Sequence, residues 1–266
     1  MRIMTAEPVL DERPLTSARQ LANKVPEVTV YFWIIKVLTT GMGETASDLL
    51  ARTLGPIPAV ALGGLALVAS LAVQFAFRRY VAWAYWTAVV MVSVFGTMAA
   101  DVLHVGLGVP YAVSTPAFLV VLAAVFGLWY ASERTLSIHT IRSRRREAFY
   151  WAAVLATFAL GTAAGDLTAT VGFGYLGSVA LFAVAICVPA LAHRFGALGA
   201  VTAFWTAYVI TRPLGASLAD WMALPHARGG LALGLGPVTL AWTVAIIGFV
   251  GYLAVSQRDR GAYTSG

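Results

Sequence analysis

The sequence predicts an all-α membrane protein of eight transmembrane helices, built as four tandem two-helix repeats in two parallel halves. Three observations carry that prediction. Of 266 residues, 59% are apolar and 11% charged, with a mean hydropathy of +0.79, a balance foreign to a soluble core. Apolar runs of about 20 residues, enough to cross a hydrocarbon layer of roughly 30 Å, fall at 28–50, 56–77, 81–103, 110–131, 147–169, 174–192, 197–222 and 233–255. One skeleton also recurs four times without change of spacing: an aromatic residue, Trp, nine residues, Gly, four residues, Asp. Its copies are Phe32-Trp33 with Gly43 and Asp48, Tyr85-Trp86 with Gly96 and Asp101, Tyr150-Trp151 with Gly161 and Asp166, and Phe204-Trp205 with Gly215 and Asp220. Such a match marks internal repetition, two spans to a repeat.

Residues 1–27 are polar and interrupted by Pro8, Pro14 and Pro26, and no apolar stretch precedes a small-residue cleavage site. They read as a cytoplasmic N-terminal tail in place of a signal peptide. Repeats 1 and 2 take 28–131. Their first turn ends at Pro56, tolerated where a helix begins because the missing N–H has no intrahelical acceptor there. Gly63 and Gly64 permit close helix approach in the second span, which Arg78 and Arg79 end. Residues 132–146 (SERTLSIHTIRSRRR) form a basic cytoplasmic linker. Repeats 3 and 4 take 147–255, and 256–266 is a C-terminal tail. Tryptophans lie 53 residues apart in the first half, 54 in the second and 65 across the linker. An even number of spans per repeat gives all four the same polarity, so the halves are related by an axis along the membrane normal.

With the N-terminus inside, fourteen of eighteen basic residues fall on the cytoplasmic side. Arg52 and Arg228 lie in outer turns, and Lys36 and Arg212 lie within spans. The charge of +6 is therefore a positive-inside signal that places both termini in the cytoplasm, and its partner is an anionic leaflet and not nucleic acid. Cys187 stands alone, which excludes an intrachain disulfide and a thiolate metal cluster. His104, His139, His193 and His226 all fall in turns, so none pairs at mid-membrane depth to hold a haem. No Ser or Cys nucleophile has a histidine at its own depth, and no enzymatic activity is expected.

Residues four apart lie nearly above one another on a helix. Counted from each Trp, positions +3, +7, +11 and +15 read Lys36, Thr40, Glu44, Asp48; Val89, Ser93, Thr97, Asp101; Val154, Phe158, Thr162, Asp166; and Tyr208, Arg212, Ala216, Asp220. Nearly all intramembrane polarity sits on this stripe. Ionisable groups at that depth face a bundle interior or a water-filled cavity, so the stripes are expected to turn toward one another. Glu44, Asp48, Asp101, Asp166 and Asp220 are the candidate metal ligands or proton carriers. Lys36, expected to pair with Glu44, and Arg212 are the candidate gates or charge compensators. The aspartates lie roughly 22 Å along the axis from the tryptophans, toward the outer face. Trp33, Trp86, Trp151 and Trp205 read as an interfacial aromatic belt, with a gate as the second reading. The glycines at +10, with Gly41 and Pro213 beside two of them, have two readings as well: close helix packing, or a break that frees carbonyls to build an ion site.

The Trp-to-Asp pattern, most specifically the segment FWIIKVLTTGMGETASD, resembles a family of bacterial integral membrane proteins of unknown function. That family is defined by four tandem repeats, each with two transmembrane segments and a characteristic tryptophan, matched here by Trp33, Trp86, Trp151 and Trp205. The resemblance spans residues 28–255 and implies this fold in the bacterial cytoplasmic (inner) membrane, with no established activity. The residues themselves point to a transporter of a small cation, foremost a divalent metal such as manganese or metal/proton exchange, the metal being substrate. A membrane module holding a quinone-like ligand among its tryptophans and a non-transporting scaffold are the alternatives. A homo-oligomer is compatible with each.

Overall fold

The computed structural model describes residues 23–259. Of the two predicted tails, 1–22 and 260–266 therefore lie outside the described residues. The helices are α1 (Val30–Leu54), α2 (Pro56–Ala76), α3 (Ala82–Asp101), α4 (Tyr111–Glu133), α5 (Arg144–Thr168), α6 (Gly174–Arg194), α7 (Ala200–Ala223) and α8 (Leu235–Ser256). No strand occurs among the described residues. The eight expected spans count as seven helical runs, because α5 and α6 are joined without coil by a kinked π-helical turn, Ala169–Phe173. Gly172 bends the chain there at φ 112°, a conformation that spares the chain a coil break. A second π turn, Val102–Gly106, prolongs α3.

Sequence chemistry explains the other ends. Thr29 caps α1 by accepting from the Phe32 N–H at 3.4 Å, and Ser143 caps α5 by accepting from Arg146 at 3.2 Å. Pro56 opens α2 after Gly55 turns at φ 87°. Both α1 and α7 run unbroken through Gly41, Gly43 and Pro213, so the expectation of a broken helix with freed carbonyls does not hold.

The four odd helices form a closed inner ring in which α1 meets α3, α3 meets α5, α5 meets α7, and α7 returns to α1. Each even helix lies outside and packs chiefly on the first helix of the next repeat: α2 on α3, α4 on α5, α6 on α7, and α8 back on α1. The linker thus divides the sequence but not the structure, since α4 clasps α5 across it. One contact recurs at every step of the ring. A Cβ built on the +10 glycine of one repeat would collide with the +7 side chain of the next: Gly43 with Ser93, Gly96 with Phe158, Gly161 with Arg212, and Gly215 with Thr40. This cyclic register, closing from the last repeat to the first, defines a pseudo-fourfold axis.

Five helical runs are long and apolar enough to cross a membrane: Pro56–Ala76, Ala82–Gly106, Tyr111–Glu133, Arg144–Arg194 and Leu235–Ser256. The outer helices expose Leu65, Val68, Val120, Val184, Ile247 and Val255, a continuous apolar jacket that suits lipid. α1 and α7 are less apolar because they carry Lys36, Glu44, Asp48, Arg212 and Asp220, which the outer ring shields.

At the linker end, separate segments knit into one plate. Lys24 pairs with Glu147 at 2.5 Å, both buried, and the Gln74 amide donates to Glu147 at 3.1 Å. The Glu27 N–H donates to the Asp259 carbonyl at 3.0 Å, which brings the first and last described segments together. The Trp205 indole donates to the Leu136 carbonyl at 2.9 Å and seats the linker on the plate. Breaking a buried pair leaves an uncompensated charge. Lys24→Met is therefore expected to cost about 3 kcal/mol, the low end of that range because Gln74 still serves Glu147. Thermal melting in detergent checks this, and Glu147→Gln added to Lys24→Met should recover most of the loss.

Candidate functional site

The stripe predicted from the sequence faces the pseudo-fourfold axis in four layers. Nearest the linker is an aromatic layer. Within each repeat the two rings meet edge to face, as in Phe32–Trp33 at 5.2 Å and Tyr85–Trp86 at 5.1 Å. Between repeats the first aromatic reaches the next tryptophan: Phe32–Trp86 at 5.6 Å, Tyr85–Trp151 at 5.6 Å, Tyr150–Trp205 at 6.0 Å and Phe204–Trp33 at 5.7 Å. Eight rings close a circle. The interfacial-belt expectation is corrected here: Trp86, Trp151 and Trp205 are buried and Trp33 half-buried, turned inward by contacts with the preceding repeat. Tyr85 and Tyr150 share a hydroxyl hydrogen bond of 2.5 Å inside the circle.

Above it lies Lys36, fully buried. Its ammonium has no hydrogen-bond partner and stands 4.3 Å from the ring centres of both Phe158 and Tyr208. The expected pairing of Lys36 with Glu44 is not found. Eight residues along a straight helix separate them by about 12 Å, beyond the reach of an ion pair.

Arg212 takes Glu44 instead. From full burial its Nη2, with two hydrogens to share among three acceptors, meets Glu44 at 2.6 Å, the Thr162 hydroxyl at 2.6 Å and the Thr97 hydroxyl, while Nη1 donates to the Thr40 carbonyl at 3.3 Å. One guanidinium on α7 thereby binds α1, α3 and α5. Glu44, Thr97 and Thr162 are the three polar +11 residues, and Ala216, the fourth, is small where the arginine stem passes. Planar, delocalised and multiply donating, arginine fits this task as lysine does not.

The four aspartates form the last layer, at the end away from the linker. Asp220 is 8% exposed, and Asp48, Asp101 and Asp166 are half-buried. Asp101, Asp166 and Asp220 each feel the charges of Glu44 and Asp48, with Arg212 opposing them. Asp48 accepts from Arg52 one turn on at 3.4 Å. The acids surround one mouth of the axis but do not converge tightly: among the described residues, no three His, Cys, Asp or Glu side chains lie close enough to hold a metal ion. The proposed joint ligand set of Glu44, Asp48, Asp101, Asp166 and Asp220 is therefore not assembled, because Glu44 is held by Arg212 and Asp48 leans to Arg52.

Three contributors escaped sequence reasoning. Phe158 and Tyr208 were on the stripe, yet only the ring geometry gives them Lys36 as a common guest. Tyr111, at the start of α4, faces Asp166 and stacks on His104 with ring centres 3.4 Å apart, and no periodic signal marks it. His104 is further held by the Val109 carbonyl at 2.8 Å, which accounts for it within the turn. Beside Trp33 and Phe204, a cavity of about 600 Å³ opens between the linker, α6 and α7, lined also by His139, Cys187 and His193.

The fold and site define a four-repeat helical membrane bundle with a polar axis. The chain belongs to the family built from the Repeat of Unknown Function DUF347, which matches residues 31–80, 84–135, 149–196 and 203–259. No curated protein and no solved structure matches it.

Proposed function

We propose that the protein is a membrane transporter that passes a small cation along its pseudo-fourfold axis. The observation that carries this reading is the buried Glu44–Arg212 pair beneath a ring of four aspartates. The stripe holds five acids against Lys36 and Arg212, a formal net of minus three that calls for cations. Aspartates at the mouth concentrate cations, and Glu44 is the acid they meet next. A cation that reaches Glu44 competes with Arg212 for the same carboxylate, so release of the guanidinium is the opening step. The aromatic circle closes the path at the linker end. Among the described residues no three-ligand cluster is preassembled, and a singly charged or weakly hydrated ion needs none, unlike manganese or another divalent metal.

Under this reading both termini face the cytoplasm across a bacterial inner membrane, the side that the positive-inside bias of the linker favours. The quinone-like alternative draws support from the apolar cavity beside Trp33, while the closely packed tryptophan circle itself leaves no gap for a ring.

Cation flux into proteoliposomes, followed for a panel of monovalent and divalent ions with and without a pH gradient, tests the proposal. Asp101→Asn and Asp166→Asn should each abolish it. Flux that ignores both changes refutes the axis as the path.

A further inference from the structure

We infer that Phe158 and Tyr208 form an aromatic cation site, occupied in this state by the Lys36 ammonium, and that the transported substrate is a weakly hydrated ammonium-type cation which takes its place. This rests on the transport reading above and names its substrate class.

The Lys36 amino group has left water completely and gains no oxygen acceptor in exchange. Its surroundings are two ring faces, each with its centre 4.3 Å away. A ring face carries the negative lobe of the aromatic quadrupole, so it attracts a cation and repels an anion. Sodium, magnesium and manganese lose too much hydration at such a surface, because they demand oxygen ligands. An alkylammonium ion loses little, and aromatic cages are the standard solution for quaternary ammonium groups. The Phe158 ring also lies near the Arg212 guanidinium, 5.4 Å from its centre, so the ring adjoins the Glu44–Arg212 pair as well.

Departures from repeat symmetry point to the same place. At +3 the repeats read Lys36, Val89, Val154 and Tyr208, and at +7 they read Thr40, Ser93, Phe158 and Arg212. The box draws Lys36 from the first repeat, Phe158 from the third and Tyr208 from the fourth. The +10 glycines and +15 aspartates that build the ring and its mouth stay fourfold. Where a bundle breaks its own symmetry in three repeats to surround one charge, that charge marks the selective point.

The test uses the full chain in proteoliposomes with tetramethylammonium, sodium and magnesium as probes. Tetramethylammonium flux should exceed that of either metal by about tenfold, the discrimination within reach of a desolvated cation–π site. Tyr208→Leu and Phe158→Leu should lose that preference, and Tyr208→Phe, which keeps the ring face, should restore what leucine removes. In detergent, Lys36→Ala vacates the box and should bind tetramethylammonium about tenfold more tightly than the parent chain by calorimetry. Sodium flux that depends on Asp101 but ignores Tyr208→Leu would sink the aromatic site while leaving the axis as a cation path. No cation flux in any form refutes transport itself. Loss of the preference in Tyr208→Phe assigns it to the hydroxyl and overturns the inference, and this arm stands even if Lys36→Ala does not fold.

Discussion

Arg212→Met lowers the stability of the bundle by about 4–5 kcal/mol, the upper range for breaking a buried ion pair. The substitution keeps much of the stem's volume and removes every donor, so Glu44 is left as a buried, unneutralised carboxylate. The Thr97 and Thr162 hydroxyls lose the same partner but still donate to the Ser93 and Phe158 carbonyls, so the cost falls chiefly on Glu44. Because the guanidinium joins all four odd helices, the loss falls on the ring as a whole. Arg212→Lys recovers only a minor part: its stem is shorter, and it lacks the second nitrogen that serves the Thr40 carbonyl while the first serves Glu44. Glu44→Gln combined with Arg212→Met recovers most of the loss, since the buried charge goes with its partner. Thermal melting followed by circular dichroism in detergent reads all three variants. A wild-type melting temperature in Arg212→Met would mean that water, and not the arginine, compensates Glu44.

The repeat skeleton made the inner ring legible before any coordinates. Lys36, Ser93, Phe158 and Arg212 on that skeleton are all fully buried within the ring. What it could not supply was direction around the ring. Sequence spacing fixes how far along a helix Trp86 lies; whether it faces lipid or a neighbour is decided by Phe32, a residue of the preceding repeat. The partner of Glu44 was hidden for the same reason. Lys36 is close in sequence but two turns away on the same helix, whereas Arg212 is 168 residues distant and adjacent only because the fourth repeat closes on the first. The sequence reads the junction of α5 and α6 as a tight turn from Gly172 and Gly174, and both glycines do take positive φ there, at 112° and 63°, at a kinked π turn. Tyr111 lies outside the period altogether.

Gly43→Ala is expected to cost about 3 kcal/mol, at the upper end for overpacking a filled interior. In an isolated helix the same change would be a gain of about 1 kcal/mol, because alanine has the best helical propensity and glycine nearly the worst. The sign reverses on contact. The new Cβ would stand 1.8 Å from the Ser93 Oγ and 2.5 Å from its Cβ, and 2.9 Å from its carbonyl carbon, so rotating the serine does not clear the clash and α3 must move. The ring gives it nowhere to go, since α3 presses Gly96 on Phe158 and α5 presses Gly161 on Arg212 in turn. Ser93→Gly added to Gly43→Ala removes the two side-chain collisions but not the one with backbone, and should return about half of the loss. Gly215→Ala is the milder counterpart, because its worst contact, 1.7 Å, is with the Thr40 hydroxyl and its backbone contact with Gly41 is 3.1 Å. Gly127→Ala in α4 and Gly251→Ala in α8 meet nothing within 4 Å and should be neutral or stabilising by the propensity term alone. Melting temperatures for these variants therefore separate two roles of one residue type. Inner +10 glycines are the points at which four parallel helices touch, whereas Gly127 and Gly251 are ordinary positions on the outer surface. If Gly43→Ala melts with Gly251→Ala, the cyclic glycine contact does not hold the ring and the pseudo-fourfold axis loses its basis.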